Sequence, residues 1–534
     1  MDVRFPSRQG LFSNSTVHDA LGLSPPDSGL NQNDAILVST FVGIDAEPRP
    51  MDQAELDGLG DAFTKRFLSK GVVPLTLRDL LDGIDGLDGD EALPDRRVFL
   101  VAEGGRHRLG NPEFPLNARL VFSWSPAFSR PVMFLSTVPS LDDPTALLQL
   151  VAWSEVDTTF HFFERRQGRW TWAGNSMTAF DDRARGKGPC DSHINGGLVM
   201  KELKAPWAHW HSQSSSIPFE LLEGTDFGKH PGMSAIDGAE LLENLVKAGV
   251  RHWTRSRIAK RTQNDRISLP RELAQHLTHA TSANLVGATI SYPPPQGEAL
   301  TLPVSFFLDV DTFRAVDKRL GVATPILPTK AVAVSPEDYV GAIGELEIGV
   351  VAANGTRVPG DTTFCFVVPE RAFEDVTVVD LMLREELLSA RLALCILLVD
   401  FSNPVRSAQR EALLRHFPEA PVELSAAALD APFLASVQAN AGAAIESEFL
   451  SYWNDPDIVG RARSELAAVV CAVSQLASTS QGVVEIVRLA EARRNLFRKR
   501  KLNEFSSTTA RAADDVGFWR MTKSGEIVPG DNFS

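Results

Sequence analysis

Four of the eleven histidines and four of the nine tryptophans lie between His161 and His211, and Cys190 lies among them. His209-Trp210-His211 is the most suggestive group. In an extended strand alternate residues share a face, so both imidazoles can bind one metal ion, with His161, His193 or Asp191 completing the site. In a helix the two side chains point about 200° apart and the pair is lost. Pro206 ahead of Trp207 is also a reasonable helix start, and the competing reading is a pair of aromatic-packed histidines. Neutral imidazole suits iron, copper or zinc; one of these histidines can instead be the axial ligand of a haem.

Cys190-Asp191-Ser192-His193 puts a thiol and a carboxylate beside an imidazole, groups that serve nucleophilic or acid–base catalysis. Asp191 or Ser192 capping a helix that begins near Asn195 is the plainer account. The run Arg183 to Gly188 holds Lys187 between two glycines, a turn able to cradle an anion, although the Walker spacing of a nucleotide loop is absent. Trp170 and Trp172 share one strand face. With Trp207 and Trp210 they offer a flat surface for a cofactor, or a core. Asp309 and Asp311 form a DxD of the kind that holds divalent cations, and Glu345 and Glu347 alternate on a solvated strand face. A helix over Val483 to Leu502 carries Arg488, Arg493, Arg494 and Arg498, a cluster suited to an acidic partner or to the protein's own acidic surface.

These groups need a frame, and the composition bounds it. At 534 residues the chain exceeds one hydrophobic core, and its 43% hydrophobic content is ordinary for a globular protein. A net charge of −15 opposes broad binding to nucleic acid or anionic lipid. Cys190, Cys365, Cys395 and Cys471 are scattered and form no CxxC pair; reduced thiols in a cytoplasmic protein are expected. The last three lie in apolar surroundings (FCF, LCI, VCA), where cysteine acts as a small hydrophobe. The longest apolar run, Leu392 to Val399, is too short to span a bilayer, and the first residues lack a secretory apolar core.

The pattern predicts an α+β fold: a β-rich N-terminal two thirds with a helical insert, and a helical C-terminal third. An irregular arm covers 1–33. A β-rich domain with the Trp/His-rich segment covers 34–230, a mixed α/β region 231–376, a helical domain 377–505 and a tail 506–534. Leu56, Leu59, Phe63 and Phe67 predict one helix ending at Gly71. Short apolar runs predict strands at 98–102, 118–124, 132–137 and 147–153, and a hairpin flanks Gln167-Gly168. A helical insert is expected from Ser234, with Ser234 and Asp237 as a capping box and Gly249 ending its first helix; another begins at Pro270. Strands are expected over 302–310 and 344–351, with Asn354-Gly355 turning into a partner over 362–368. Helices are expected over 377–390, 407–416, 431–452, 456–478 and 482–502.

Two functional readings follow. One is a metal- or haem-dependent enzyme, an oxidoreductase, with His161, His193, His209 and His211 as ligands, His193, Cys190 and Asp191 as catalytic groups, and Lys187, Trp170, Trp172, Trp207 and Trp210 as cofactor contacts. A metal-free hydrolase or transferase using Cys190 or His193 is a variant of it. The other is a non-catalytic binding or assembly protein in which that segment is structural and the helical third meets a protein partner.

Overall fold

The computed structural model describes residues 38–103, 117–127, 129–166, 169–199, 210–213, 216–217, 235–287, 299–302, 304–351, 357–359, 367–499, 512–513 and 516–530. The fold class is α+β. By internal packing the chain divides into two units: Met1–Met200 with His209–Ser256, and Lys201–Ala208 with Arg257–Ser534.

The first unit is built on an eight-stranded sheet. In chain order its elements are β1 (Val38–Ser39), β2 (Arg49–Pro50), α1 (Gln53–Leu59), α2 (Ala62–Arg66), α3 (Leu77–Asp85), β3 (Arg97–Glu103), β4 (Asn117–Trp124), β5 (Met133–Thr137), β6 (Leu148–Ser154), β7 (Thr159–Arg166) and β8 (Arg169–Asn175). Strands β3 to β8 form an antiparallel meander, and β1 joins its end parallel to β8. Arg166 pairs with Arg169, so β7 and β8 are joined as the expected hairpin requires; Gln167 and Gly168 lie outside the described residues. On one face Phe63, Phe67, Leu80 and Ile84 from α2, α3 and their connection pack against Leu100, Phe122, Leu150 and Trp170. The other face carries Trp153 and Phe162, whose rings meet His252 and His193. Cover on both faces explains why every residue of β5 and β6 is buried rather than alternate ones.

The single helix expected up to Gly71 is two. Gly60 takes φ 64° and stops α1, and Asp61 caps α2 by accepting from the Phe63 and Thr64 amides. Helix α4 (Ala239–Arg261) runs straight through Gly249, which packs closely on Leu198 instead of ending it. Ser234 lies outside the described residues.

The second unit is mainly helical. It contains β9 (Arg266–Ile267), α5 (Pro270–Thr278), β10 (Ala283–Gly287), β11 (Leu300–Leu302), α6 (Val310–Leu320), β12 (Val332–Val334), α7 (Pro336–Glu345), β13 (Gly349–Val351), β14 (Arg357–Pro359), β15 (Val367–Arg371), α8 (Phe373–Arg384), α9 (Ala390–Leu398), α10 (Ala408–Ala412), β16 (Val422–Glu423), α11 (Ala426–Ala439), α12 (Ala444–Trp453), α13 (Ile458–Leu476), α14 (Ser480–Lys499), β17 (Trp519–Met521) and β18 (Ile527–Pro529). Helix α9 is its centre, buried from Leu392 onward. That apolar run was expected to be too short for a membrane, and no single described helix is long and apolar enough to cross one.

Several local expectations change here. The strand expected over 302–310 ends at Leu302: a 3₁₀ turn occupies Val304–Phe306, and Asp309 caps α6 by accepting from the Thr312 amide. Glu345 ends α7 and Glu347 sits in a left-handed turn (φ 49°), so the two do not alternate on a strand. β13 pairs with β14 at 357–359, not with 362–368, and β15 pairs instead with β10. Asn354 and Gly355 lie outside the described residues.

Candidate functional site

His161 sits on β7 with its side chain 2% exposed. Its Nε2 hydrogen-bonds Asp157 Oδ2 at 3.0 Å, and its Nδ1 lies 3.9 Å from Asp61 Oδ2. Thr159 and Asn175 also donate to Asp157. Burial would raise the Asp157 carboxyl, but the hydrogen bonds from His161 and Thr159 outweigh it and bring the pKa to about 2. Asp61 goes the other way: burial raises it, with His161 opposing. An imidazole between two carboxylates has the parts of an acid–base relay. The imidazole itself is buried beside Phe163 and Trp172, and of the two carboxylates only Asp157, 36% exposed, reaches the surface.

The other residues singled out by the sequence are spread around this unit. His193 is buried against Phe162 and donates from Nδ1 to the Gly197 carbonyl at 2.7 Å. Trp210 is buried and bridges Val101, and the His211 amide donates to the Leu100 carbonyl, so residues 210 and 211 run extended beside β3. That is the backbone form the metal pair requires, but His209 and Trp207 lie outside the described residues. The half-buried His211 ring accepts from the Ile217 amide, and burial lowers its pKa. Among the described residues no group of three or more His, Cys, Asp or Glu is arranged to hold a metal ion.

Cys190 is buried, and burial pushes its thiol up to about 12, the opposite of what a nucleophile needs at neutral pH. Among the described residues no helix begins at Asn195: Gly188–Asp191 is a single 3₁₀ turn, and Asp191 ends it. Lys187 is exposed, its stem beside Gly43. Trp170 packs on Phe63 and donates to the Pro74 carbonyl, while Trp172 packs on Phe41 and His161. Trp170 belongs to the core, and Trp172 is partly buried against it. A cleft of about 380 Å³ in this unit is lined by Trp153, Lys65, Asp90 and Glu155. Its charges are mixed, and Glu155 pairs with Arg130.

The second unit holds a smaller and chemically more uniform cleft, with a volume of about 80 Å³. Val405, Leu496, Phe518 and Trp519 give it an apolar lining, and three arginines, Arg406, Arg493 and Arg520, converge on it with Asp400 as the one acid. Arg493 donates to the Phe306 and Ser402 carbonyls and to Asn403 Oδ1, and its guanidinium lies over the Phe306 ring. Burial pushes its pKa down to about 9, with Asp400 opposing. Arg406 pairs with Glu411 at 2.6 Å. Asp400 is held in the left-handed region (φ 50°) and accepts from Asn403 Nδ2 at 2.7 Å.

Two polar clasps build the walls. Asn403 exchanges hydrogen bonds with the Met521 amide and carbonyl, fastening the β17–β18 hairpin that carries Trp519 and Arg520. Opposite, Asp375 accepts from the Thr281 amide and hydroxyl and from His276 Nδ1 at 2.7 Å, fixing the turn that presents Ala280 and Ala283. Arg257 donates to His276 Nε2, so the ring is neutral with its proton on Nδ1; burial, and then Arg257, lower its pKa.

The sequence pointed to Arg493 only as part of a basic helix, and to none of Arg406, Asp400 or Arg520. Its DxD is structural: Asp309 caps α6 and pairs with Arg371 at 2.8 Å, and Asp311 pairs with Arg314. No local signal marks the cleft, because its residues are dispersed from Ala280 to Arg520. Set against known proteins, the chain matches no family model, no curated protein and no solved structure.

Proposed function

We propose that the chain is a ligand-binding protein that takes up a small molecule in the arginine-lined cleft of its second unit, and that the His161–His211 segment is part of the frame of the first. The observation that carries this reading is the cleft itself: an apolar pocket with a few converging polar groups, the usual form of a small-molecule site. In support, His161, Trp170 and Cys190 are sealed among core side chains. A cytoplasmic setting fits the free thiols Cys190, Cys395 and Cys471.

The test is a ligand-observed NMR screen of small fragments on the full chain, run beside Ala280→Phe, which puts a ring into the cleft. Fragments that bind the wild type and not the variant are the expected result. If no fragment binds, or if binding ignores Ala280→Phe, the reading fails.

A further inference from the structure

Resting on that reading, we infer that the cleft is specific for a small aromatic carboxylate, whose anion is held by Arg520 and whose ring lies against Trp519, Phe518 and Leu496. Among the described residues the lining carries three arginines against one aspartate, and with Arg406 offset by Glu411 one net positive charge remains in a protein whose net charge is −15. Such a site favours an anion.

The three cations are not equivalent. Arg406 is committed to Glu411, and Arg493 to two backbone carbonyls and Asn403. Arg520 stands exposed on β17 and lines the cleft, and among the described residues its guanidinium has no hydrogen-bond or ion-pair partner. It is therefore the donor fork that a ligand can engage without first breaking an internal pair. A planar carboxylate matches that fork with two parallel hydrogen bonds. The charge of Arg493 adds to the field without itself moving, and Asp400 disfavours a second negative charge on the ligand, which selects a monoanion over a phosphate dianion.

Size and shape narrow the class further. On the scale where one water needs roughly 10–15 Å³, 80 Å³ admits about the six atoms of one ring. The carboxylate would then lie at the mouth beside Arg520. Trp519 has Arg488 stacked over its ring at 5.2 Å, which fixes the indole as a rigid wall. Asn403 positions this whole wall, since it bonds both the Met521 amide and the Met521 carbonyl.

Titration calorimetry of the full chain with benzoate, benzamide and inorganic phosphate tests the inference. Benzoate should bind at least about 10-fold more tightly than benzamide, an effect of one charge-assisted contact, and phosphate alone should bind more weakly than benzoate. Arg520→Gln should bring benzoate down to the benzamide level and leave benzamide unchanged; Arg520→Lys should restore part of the difference. Equal binding of benzoate and benzamide, or equal weakening of both by Arg520→Gln, overturns the inference. If other fragments still bind in a manner blocked by Ala280→Phe, only the ligand class is wrong. If none does, the ligand-binding reading falls with it.

Discussion

Cys190 and Cys395 are buried, and loss of hydration pushes both thiols up to about 12, whereas Cys471 is exposed on α13. The thiolate is the reactive form, so a maleimide at pH 7 should modify Cys471 and spare the two buried residues until the protein unfolds. Peptide mass spectrometry of the native and urea-treated protein reads this directly. Rapid native labelling of Cys190 would revive it as a nucleophile. Cys190 was legible as a cysteine next to Asp191 and His193, but not as a buried one: adjacency along the chain says nothing about which groups face one another. Cys471 errs in the opposite sense, since its apolar sequence neighbours lie on a helix that turns this residue outward.

Gly186 and Gly196 show what an element demands beyond local conformation. Both have φ 69°, where a side chain costs about 1–2 kcal/mol. At Gly186 an added Cβ meets nothing within 4 Å, while at Gly196 it would lie 2.2 Å from the Ser176 carbonyl oxygen. Gly196→Ala should therefore destabilise the first unit by clearly more than Gly186→Ala, on the order of 3 kcal/mol against about 1. Urea unfolding of the two variants measures the difference, and equal losses would mean the 176–199 segment is free to shift. In the second unit, Asp375→Ala strips the acceptor from His276 and Thr281 at once. Leaving those buried donors without an acceptor costs roughly 1–3 kcal/mol each, and Asp375→Asn, which keeps an acceptor, should cost less. Chemical denaturation distinguishes them.

Across the whole molecule, histidines withdrawn from water make stability sensitive to acid. His211, His252, His276 and His279 all have pKa values lowered chiefly by burial, and His279, beside Arg406 and Arg371, falls to about 4. A histidine whose folded pKa lies below its unfolded value of 6.5 binds fewer protons in the folded state. Its contribution is intact above about pH 6.5 and is lost as pH falls toward 4. For His279 the loss is at most about 3 kcal/mol. His279→Gln should flatten the stability profile over that window and leave it unchanged at pH 8, as melting temperatures across pH would show. A variant with the wild-type slope would remove His279 from the acid response.

The order of residues alone makes legible the α+β class, the strands between 97 and 175, the helix starting at Pro270 and most helices beyond 373. Each of these rests on a local cause: hydrophobic periodicity, a capping side chain, or a proline in a first helical turn. That the described histidines and tryptophans from His161 to His211 are mostly interior follows from tertiary packing, because an apolar strand covered on both faces and one lining an open pocket read alike. Tertiary packing also decided where the arginines converge. Ala280, Asp400, Arg493 and Arg520 come from a turn, the segment after α9, the body of α14 and a hairpin. Their meeting depends on the bonds from Arg493 on α14 to Ser402 and Asn403 and on the clasps made by Asn403 and Asp375, contacts between residues far apart in the chain that no spacing along it encodes.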